Sequence, residues 1–408
     1  MIKRIKVRNF LSLRDVNVEL RSTNVLVGPN MSGKSNLIEC LKFLQEAVNR
    51  RTAADSASAL QEAFSRRGGF KEVAWKGETE EHITLELTAE LLEPRARSPQ
   101  SYNYEFSVRL GEYAFPVVET ERLTLDGAGK TETILDARAG KERLLQRGEE
   151  ALRENPQNTL GLGLEMWTDR RFACSEFSDF IKSWRFYNLV PALMRESNPP
   201  SPEEHLTEHG ENLSAWLLTL QTHTEEFRRI KQACRDVLPG LDEILFQPVR
   251  AKTPIVNAGA STSESAKISI GSSEKYFKNP INLSRMSDGE LAFLALMSLI
   301  LAPEELAPPL LCIEEPENHL HPRLLEILVE ILNQRQTELG PKTFQIIITT
   351  HSPLLLDKLS IDDLIVFGKE EGATKATRAS SKKRLKQLLS RKETSLGDLW
   401  YSGALSDS

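Results

Sequence analysis

Gly28, Gly33, Lys34 and Ser35 follow the spacing G-x-x-x-x-G-K-S/T, within Val25-Leu26-Val27-Gly28-Pro29-Asn30-Met31-Ser32-Gly33-Lys34-Ser35-Asn36. That spacing is the phosphate-binding P-loop, and each residue type has a task in it. The glycines let the backbone turn tightly enough for its N–H groups to close on phosphate oxygens. The Lys34 ammonium can reach the β- and γ-phosphates, and the Ser35 hydroxyl can ligand Mg²⁺. Gly28, Pro29, Asn30, Ser32, Gly33, Lys34, Ser35 and Asn36 are therefore the candidate nucleotide-binding residues. The same triplet also occurs in ordinary turns, so the flanks decide. Val25 to Val27 suit a strand buried on both faces. Leu37, Leu41, Leu44 and Val48 then recur at helical spacing. The phosphate would rest on a helix N-terminus, where unpaired N–H groups and the helix dipole favour an anion.

A P-loop needs a carboxylate for its metal and one for its water. The apolar run Leu310-Leu311-Cys312-Ile313 ends in Glu314-Glu315. Mg²⁺ prefers oxygen ligands and keeps several waters, so Glu314 can hold it through water, with Ser35 as the other metal-site residue. Glu315 can orient and deprotonate the attacking water. A solvated strand edge is the alternative for such an acidic pair. His319 and His321, near Glu315 and Glu317, read as polar loop residues rather than a transition-metal cluster.

These residues need a scaffold, and the composition allows a large one. The chain has 408 residues, 40% hydrophobic and 27% charged, with a formal net charge of −6. Such values suit a soluble globular protein of two or three domains without a global field for nucleic acid or anionic lipid. The four cysteines (Cys40, Cys174, Cys234, Cys312) are dispersed, which reads as reduced thiols of a cytoplasmic protein. The N-terminus lacks the apolar stretch of a signal peptide, and no apolar run reaches the ~20 residues of a membrane span. No membrane association is expected.

Alternation around Ile5 and Val7, then Val16, Val18 and Leu20, predicts two antiparallel strands ahead of the P-loop strand, turning near Leu11-Ser12-Leu13. Thr52 to Phe64 reads as helical. From Glu81 to about Leu125 the period is two, predicting an antiparallel sheet that extends the first three strands. Lys141 to Glu150 reads as the start of a largely helical region that includes Phe177 to Leu193 and Asn212 to Val237. Ala258 to Ser273, rich in Ser, Gly and Ala, reads as a flexible loop. The expected divisions are 1–77 (first strands, P-loop and first helices), 78–140 (antiparallel β extension), 141–280 (helical lobe with connecting strands) and 281–408 (second half of the nucleotide-binding core).

Longer motifs carry a family resemblance. Ser287-Asp288-Gly289-Glu290 resembles the L-S-G-G-Q signature of ABC-type ATPases. Ile313 to Pro322 resembles the Walker B and D-loop of their RecF/SMC/OLD branch, and Thr350-His351-Ser352-Pro353 its switch-histidine motif. Ile5 to Phe10 with Leu13 resembles that branch's first strand. Trp184 to Tyr187 and Leu396 to Trp400 resemble segments of stand-alone bacterial AAA family ATPases related to OLD proteins. The resemblance implies an α/β fold: an ABC-type P-loop ATPase head with a mixed central sheet, an N-terminal antiparallel β subdomain and an inserted helical lobe. It implies ATP and Mg²⁺ as ligands, and a head-to-tail homodimer (or higher oligomer) closing on two ATPs. Ser287 and the Gly289 N–H would touch the γ-phosphate held by the other subunit. Glu315 would be the general base, and His351 would contact the γ-phosphate and order the water. Five departures stand out. Met286 replaces the signature Leu, Asp288 a Gly, which adds a negative charge beside the phosphates, and Glu290 a Gln. Glu314 stands where Asp is usual, and Met31 where a Gly often sits. No Q-loop glutamine is identifiable.

The resemblance also implies a process directed at DNA or RNA, with a separate effector subunit such as a nuclease and a plausible place in phage defence. Two basic clusters agree with it: Lys3, Arg4, Lys6 and Arg8, and Lys375, Arg378, Lys382, Lys383, Arg384, Lys386, Arg391 and Lys392. Each could equally be a solvated face. No nuclease activity is expected of this chain, because the metal-binding set of the OLD TOPRIM domain is not evident. A DNA-repair or recombination ATPase is the alternative, and the ATPase subunit of a membrane transporter a further one.

Overall fold

The apolar runs at Val25, Leu310, Ile346 and Leu364 become neighbouring strands of one sheet in a computed structural model of the chain. The structure describes residues 1–49, 58–92, 99–127, 130–138, 141–146, 149–154, 159–163, 173–238, 241–254, 262–274, 279–381, 385 and 394–405. The central sheet contains β3 (Thr23–Val27), β10 (Arg185–Tyr187), β14 (Leu310–Glu314), β15 (Gln345–Thr350), β16 (Leu364–Glu370) and β17 (Ala373–Arg378). Their order is β10-β14-β15-β3-β16-β17, and every pair is parallel except β16/β17. Successive side chains alternate between two cores, which explains the unbroken apolar runs. Leu26, Leu310, Cys312, Ile347 and Ile365 enter one core. Val25, Val27, Leu311, Ile313, Ile346, Ile348 and Leu364 enter the other.

The first core is closed by the helix Lys34–Val48 and an antiparallel sheet. That outer sheet comprises β1 (Ile2–Phe10), β2 (Leu13–Glu19), β4 (Ile83–Leu91), β5 (Gln100–Leu110), β6 (Pro116–Gly127), β7 (Lys130–Arg138), β8 (Lys141–Gln146) and β9 (Glu149–Glu154), in the order β2-β1-β4-β5-β6-β7-β8-β9. It extends the first two strands, whereas the P-loop strand β3 lies in the central sheet, which corrects the expectation for all three. Gln345 stitches the two sheets. Its carbonyl accepts from the Ile2 N–H at 2.8 Å, and its amide donates to the Ile2 and Arg21 carbonyls, both at 2.7 Å.

The second core is covered by the helices Leu213–Gln221, Thr224–Val237, Asp288–Ile300 and Pro322–Leu339. Beside it lies a small sheet of β11 (Leu241–Pro254), β12 (Thr262–Glu274) and β13 (Ile281–Asn282).

Three further expectations change. Within the expected Lys141–Glu150 helical start, Lys141 to Gln146 and Glu149 to Glu150 are strand (residues 147–148 lie outside the described residues): β8 and β9 extend the outer sheet, and backbone pairing with β7 outweighs the helix-favouring composition. Thr262 to Ser273 is not a loop, since β12 pairs with β11 along its whole length. Phe177 to Leu193 is not one helix; the helix Ala173–Lys182 ends and Arg185–Tyr187 becomes the edge strand beside β14. Residues 52–57 of the expected Thr52–Phe64 helix lie outside the described residues, and Ala59–Ser65 is helical. The four cysteines are buried, and burial pushes the Cys234 thiol up to about 12.

Candidate nucleotide site

Parallel pairing brings the chemistry-bearing residues to one edge. The register aligns Thr350 with Val27 and Glu314 with Thr349, so β3, β14 and β15 all end at the same level. The P-loop, the Glu314–Glu315 pair and His351 therefore meet at the carboxyl ends of adjacent strands, where parallel α/β sheets bind ligands.

The loop is shaped by its glycines and braced from behind. A Cβ at Gly28 would stand 2.4 Å from the Phe367 carbonyl. Gly33 has φ 102°, and a Cβ there would lie 2.0 Å from the Thr374 hydroxyl. Thr374 Oγ1 donates to the Ser32 carbonyl at 2.9 Å and lies 2.6 Å from Ser12 Oγ. Asn36 donates to Ser12 Oγ at 2.6 Å, which ties its side chain to this brace. Pro29, Asn30 and Met31 form the exposed lip of the loop. Lys34 is 5% exposed, and its ammonium donates to the Gly28 and Pro29 carbonyls at 2.8 and 3.0 Å. Burial lowers its pKa, while Glu315 and Glu317 oppose that shift.

These residues fit a nucleotide. The helix Lys34–Val48 starts at Gly33 with no side chain capping its N–H groups, and the Ser32 hydroxyl is buried without a partner. The Ser35 hydroxyl bonds to the Glu314 carboxylate, a hard-oxygen pair suited to Mg²⁺. Burial raises the Glu314 pKa, against Lys42 and the Ser35 bond, so a cation at this point meets a carboxylate held in poor solvation.

Glu315 is held in the left-handed region, φ 44° and ψ 56°, a conformation costly for a side chain-bearing residue. Its N–H donates to the carbonyl and hydroxyl oxygens of Thr349, both at 3.1 Å. Asn318 donates to its Oε2 at 3.0 Å, leaving Oε1 to face His351 Nε2 at 3.5 Å. Glu317 accepts from the Thr350 hydroxyl and the His351 N–H, at 2.7 and 2.6 Å. Burial and Lys34 lower the His351 pKa, against Glu315 and Glu317. The arrangement sets a carboxylate oxygen and an imidazole held towards its neutral form face to face.

Ser287 and Gly289 lie at the start of the helix Asp288–Ile300. Ser287 caps that helix in a reciprocal pair: Glu290 N–H donates to Ser287 Oγ at 3.3 Å, and Ser287 N–H to Glu290 Oε2 at 2.7 Å. This reciprocal pair is an S-x-x-E capping box, a helix-start role for Ser287 and Glu290. A Cβ at Gly289 would meet the His319 carbonyl at 2.9 Å, so the segment packs tightly on the loop after Glu315. Arg195 donates to Asp288 Oδ1 and the Met286 carbonyl, both at 2.7 Å, and offsets the charge that Asp288 brings.

Several residues escaped the sequence reading. Ser12, in the β1–β2 turn, and Thr374, on β17, brace the loop from positions 362 apart. The S-x-x-E spacing was a readable signal for Glu290; nothing local marks the others. The basic clusters also look different in three dimensions. Lys3, Lys6 and Arg8 pair with Glu90, Glu86 and Asp15 at 2.9, 2.6 and 3.2 Å, and Arg4 donates to Asn17. Arg378 donates to the Asp362 and Glu19 carbonyls and Asn24, as a strut. Lys382, Lys383, Arg384, Lys386, Arg391 and Lys392 lie outside the described residues. No helix among the described residues is long and apolar enough to cross a membrane.

Residues 23–357 match the family described as "AAA domain, putative AbiEii toxin, Type IV TA system". No curated protein matches the chain. Among solved structures, an Smc head bound to the C-winged helix domain of ScpA is similar, with a TM-score of 0.52 at 14% identity, over 92% of this chain and 96% of that one. The SMC head domain from Thermotoga maritima gives 0.45 at 14% identity, over 92% and 98%. The Pyrococcus furiosus Smc head with an extended coiled coil, bound to the C-terminal domain of ScpA, gives 0.44 at 13%, over 96% and 99%. The first of these shows the fold, that of an ABC-type head.

Proposed function

The chain belongs to the AAA-domain family described by a putative AbiEii toxin of a type IV TA system, and from that membership we propose that it binds and hydrolyses ATP as an ABC-type switch. One observation carries the reading: Lys34, Glu314, Glu315 and His351 converge at the carboxyl edge of one parallel sheet. The P-loop N–H groups and Lys34 hold the β- and γ-phosphates. Ser35 and Glu314 would hold Mg²⁺, which neutralises phosphate charge when bound. Glu315 Oε1 takes a proton from the attacking water, and His351 fixes that water's orientation.

Ser287 and the Gly289 N–H are the remaining anion contacts, and they serve the nucleotide of a second copy. Two chains therefore close head to tail on two ATPs, and hydrolysis releases them. Closure drives a separate effector subunit. The similar Smc head is seen with a bound partner domain, which supports a docked partner here. The process is directed at nucleic acid, DNA or RNA, and belongs to defence against phage. The resemblance to the RecF and OLD branch and the toxin in the family's description support this, whereas the paired cations of β1 do not.

Glu315→Gln tests the switch. The variant should bind ATP, hydrolyse it at least about a hundredfold more slowly and accumulate as dimer by light scattering. A monomer under saturating ATP and Mg²⁺ rules out the shared site. Lys34→Ala should lose ATP binding by calorimetry.

A further inference from the structure

His351 is held on every side, and its remotest contact comes from the far end of the chain. Its N–H donates to Glu317 Oε1, and Nε2 faces Glu315 at 3.5 Å. Its carbonyl accepts from Trp400 Nε1 at 3.3 Å. The imidazole lies beside the Trp400 indole, with centroids 6.4 Å apart and planes inclined by 52°. The neighbouring backbone is already fixed, because Ser352 N–H donates to Thr350 Oγ1 at 3.0 Å and Leu355 N–H to Ser352 Oγ at 3.3 Å. The ring itself still has two side-chain torsions to settle, and the Trp400 indole stands beside it.

Trp400 sits on the helix Leu396–Tyr401, which is docked directly onto the segment after His351. Gly397 N–H donates to Asp357 Oδ1 at 2.6 Å. A Cβ at Gly397 would stand 2.6 Å from the Pro353 carbonyl and 2.9 Å from each Asp357 carboxylate oxygen. Ser395 and Asp398 close the helix start reciprocally, at 3.0 and 3.1 Å. Leu396, Leu399 and Leu405 enter the second core. A helix this short is stable only through such tertiary contacts, and these place its indole against the imidazole.

We propose that Trp400 is a positioning residue for His351, and that docking of the helix Leu396–Tyr401 sets whether the imidazole can meet the γ-phosphate. The proposal rests on the ATPase reading. Positional errors well under a bond length are costly in such sites, so undocking this helix lowers turnover while leaving the P-loop contacts to ATP intact.

The test is steady-state ATPase kinetics, with a fluorescent ATP analogue to read binding. Trp400→Ala should lower kcat by roughly ten- to a hundredfold while changing ATP affinity less than about threefold. Trp400→Phe keeps a ring but loses the N–H donor and should fall between. Gly397→Ala, which pushes the helix off Pro353 and Asp357, should reproduce the loss with Trp400 intact. In a His351→Ala background, Trp400→Ala should add less than about twofold, because residues acting as a unit are not additive. Full turnover in Trp400→Ala, or losses that multiply with His351→Ala, overturns the proposal. Should Trp400→Ala lose its thermal transition, Trp400→Phe and Gly397→Ala decide the matter by the same criteria. A wild-type chain that hydrolyses no ATP overturns the ATPase reading as well, whereas an active wild type with an active Trp400→Ala overturns this proposal alone.

Discussion

Glu315 and His351 face each other across 3.5 Å. Desolvation and the Lys34 charge hold the His351 pKa below its ordinary 6.5, so the imidazole is neutral at neutral pH. Only the neutral ring keeps a lone pair for a water proton. Turnover should therefore hold as pH falls from 7.5 towards 6.5, then drop below it as the ring protonates. In His351→Gln that acid limb should vanish; a pH–rate profile measures both, and an acid limb centred above 6.5 contradicts this environment. Because the unfolded ring takes up protons more readily than the folded one, stability too is lost on acidification, across a window that starts near 6.5. At this scale much of the site was legible. Gly28, Lys34, Ser35, Glu314 and Glu315 were readable because their chemistry is encoded within a few adjacent positions. Ser12 and Thr374 were not, since their contact joins a turn and a strand 362 positions apart that no local spacing announces.

Elements carry two further expectations. The brace behind the P-loop links the β1–β2 turn to β17 through Thr374, which is 1% exposed. Thr374→Val keeps the shape but removes the donor to the Ser32 carbonyl and the partner of Ser12, and should cost about 1–3 kcal/mol of stability. Thermal unfolding reads that loss, and ATP affinity should weaken with it. Unchanged stability would show the brace to be dispensable. The signature helix shows the complementary case of a matched charge. In the proposed dimer, Arg195→Ala would leave Asp288 unneutralised beside the γ-phosphate, so ATP-driven dimerisation should weaken about threefold to tenfold. Asp288→Gly in the same chain should restore most of it; independent, multiplying losses would mean that the ion pair serves some other purpose. Element type was hardest to read where composition and pairing disagree. Lys141 to Glu154 has the charges and leucines of a surface helix, yet Arg147-Gly148 separates two segments that pair as β8 and β9. Thr262 to Glu274 has few apolar residues and is a strand because β11 supplies a full ladder of backbone partners.

At the scale of the whole molecule, the architecture was legible from the unbroken apolar runs, but the membership of β3 was not. Proximity in sequence suggested that it belongs with β1 and β2; its two buried faces place it between β15 and β16. That position has a consequence for the birth of the chain. Asn24, in β3, donates to the Ile346 carbonyl of its neighbour 322 residues later. On a ribosome adding roughly 5–20 residues per second, the P-loop strand emerges tens of seconds before either lateral partner. Until then an apolar strand with two open edges waits beside an otherwise completable antiparallel sheet. Chains ending after Lys342 should accordingly partition into the insoluble fraction, while the full chain remains in the supernatant; a soluble truncated product would show that the first half folds alone. The nucleotide loop is translated early, yet its strand is framed last, so an abandoned nascent chain cannot assemble the switch.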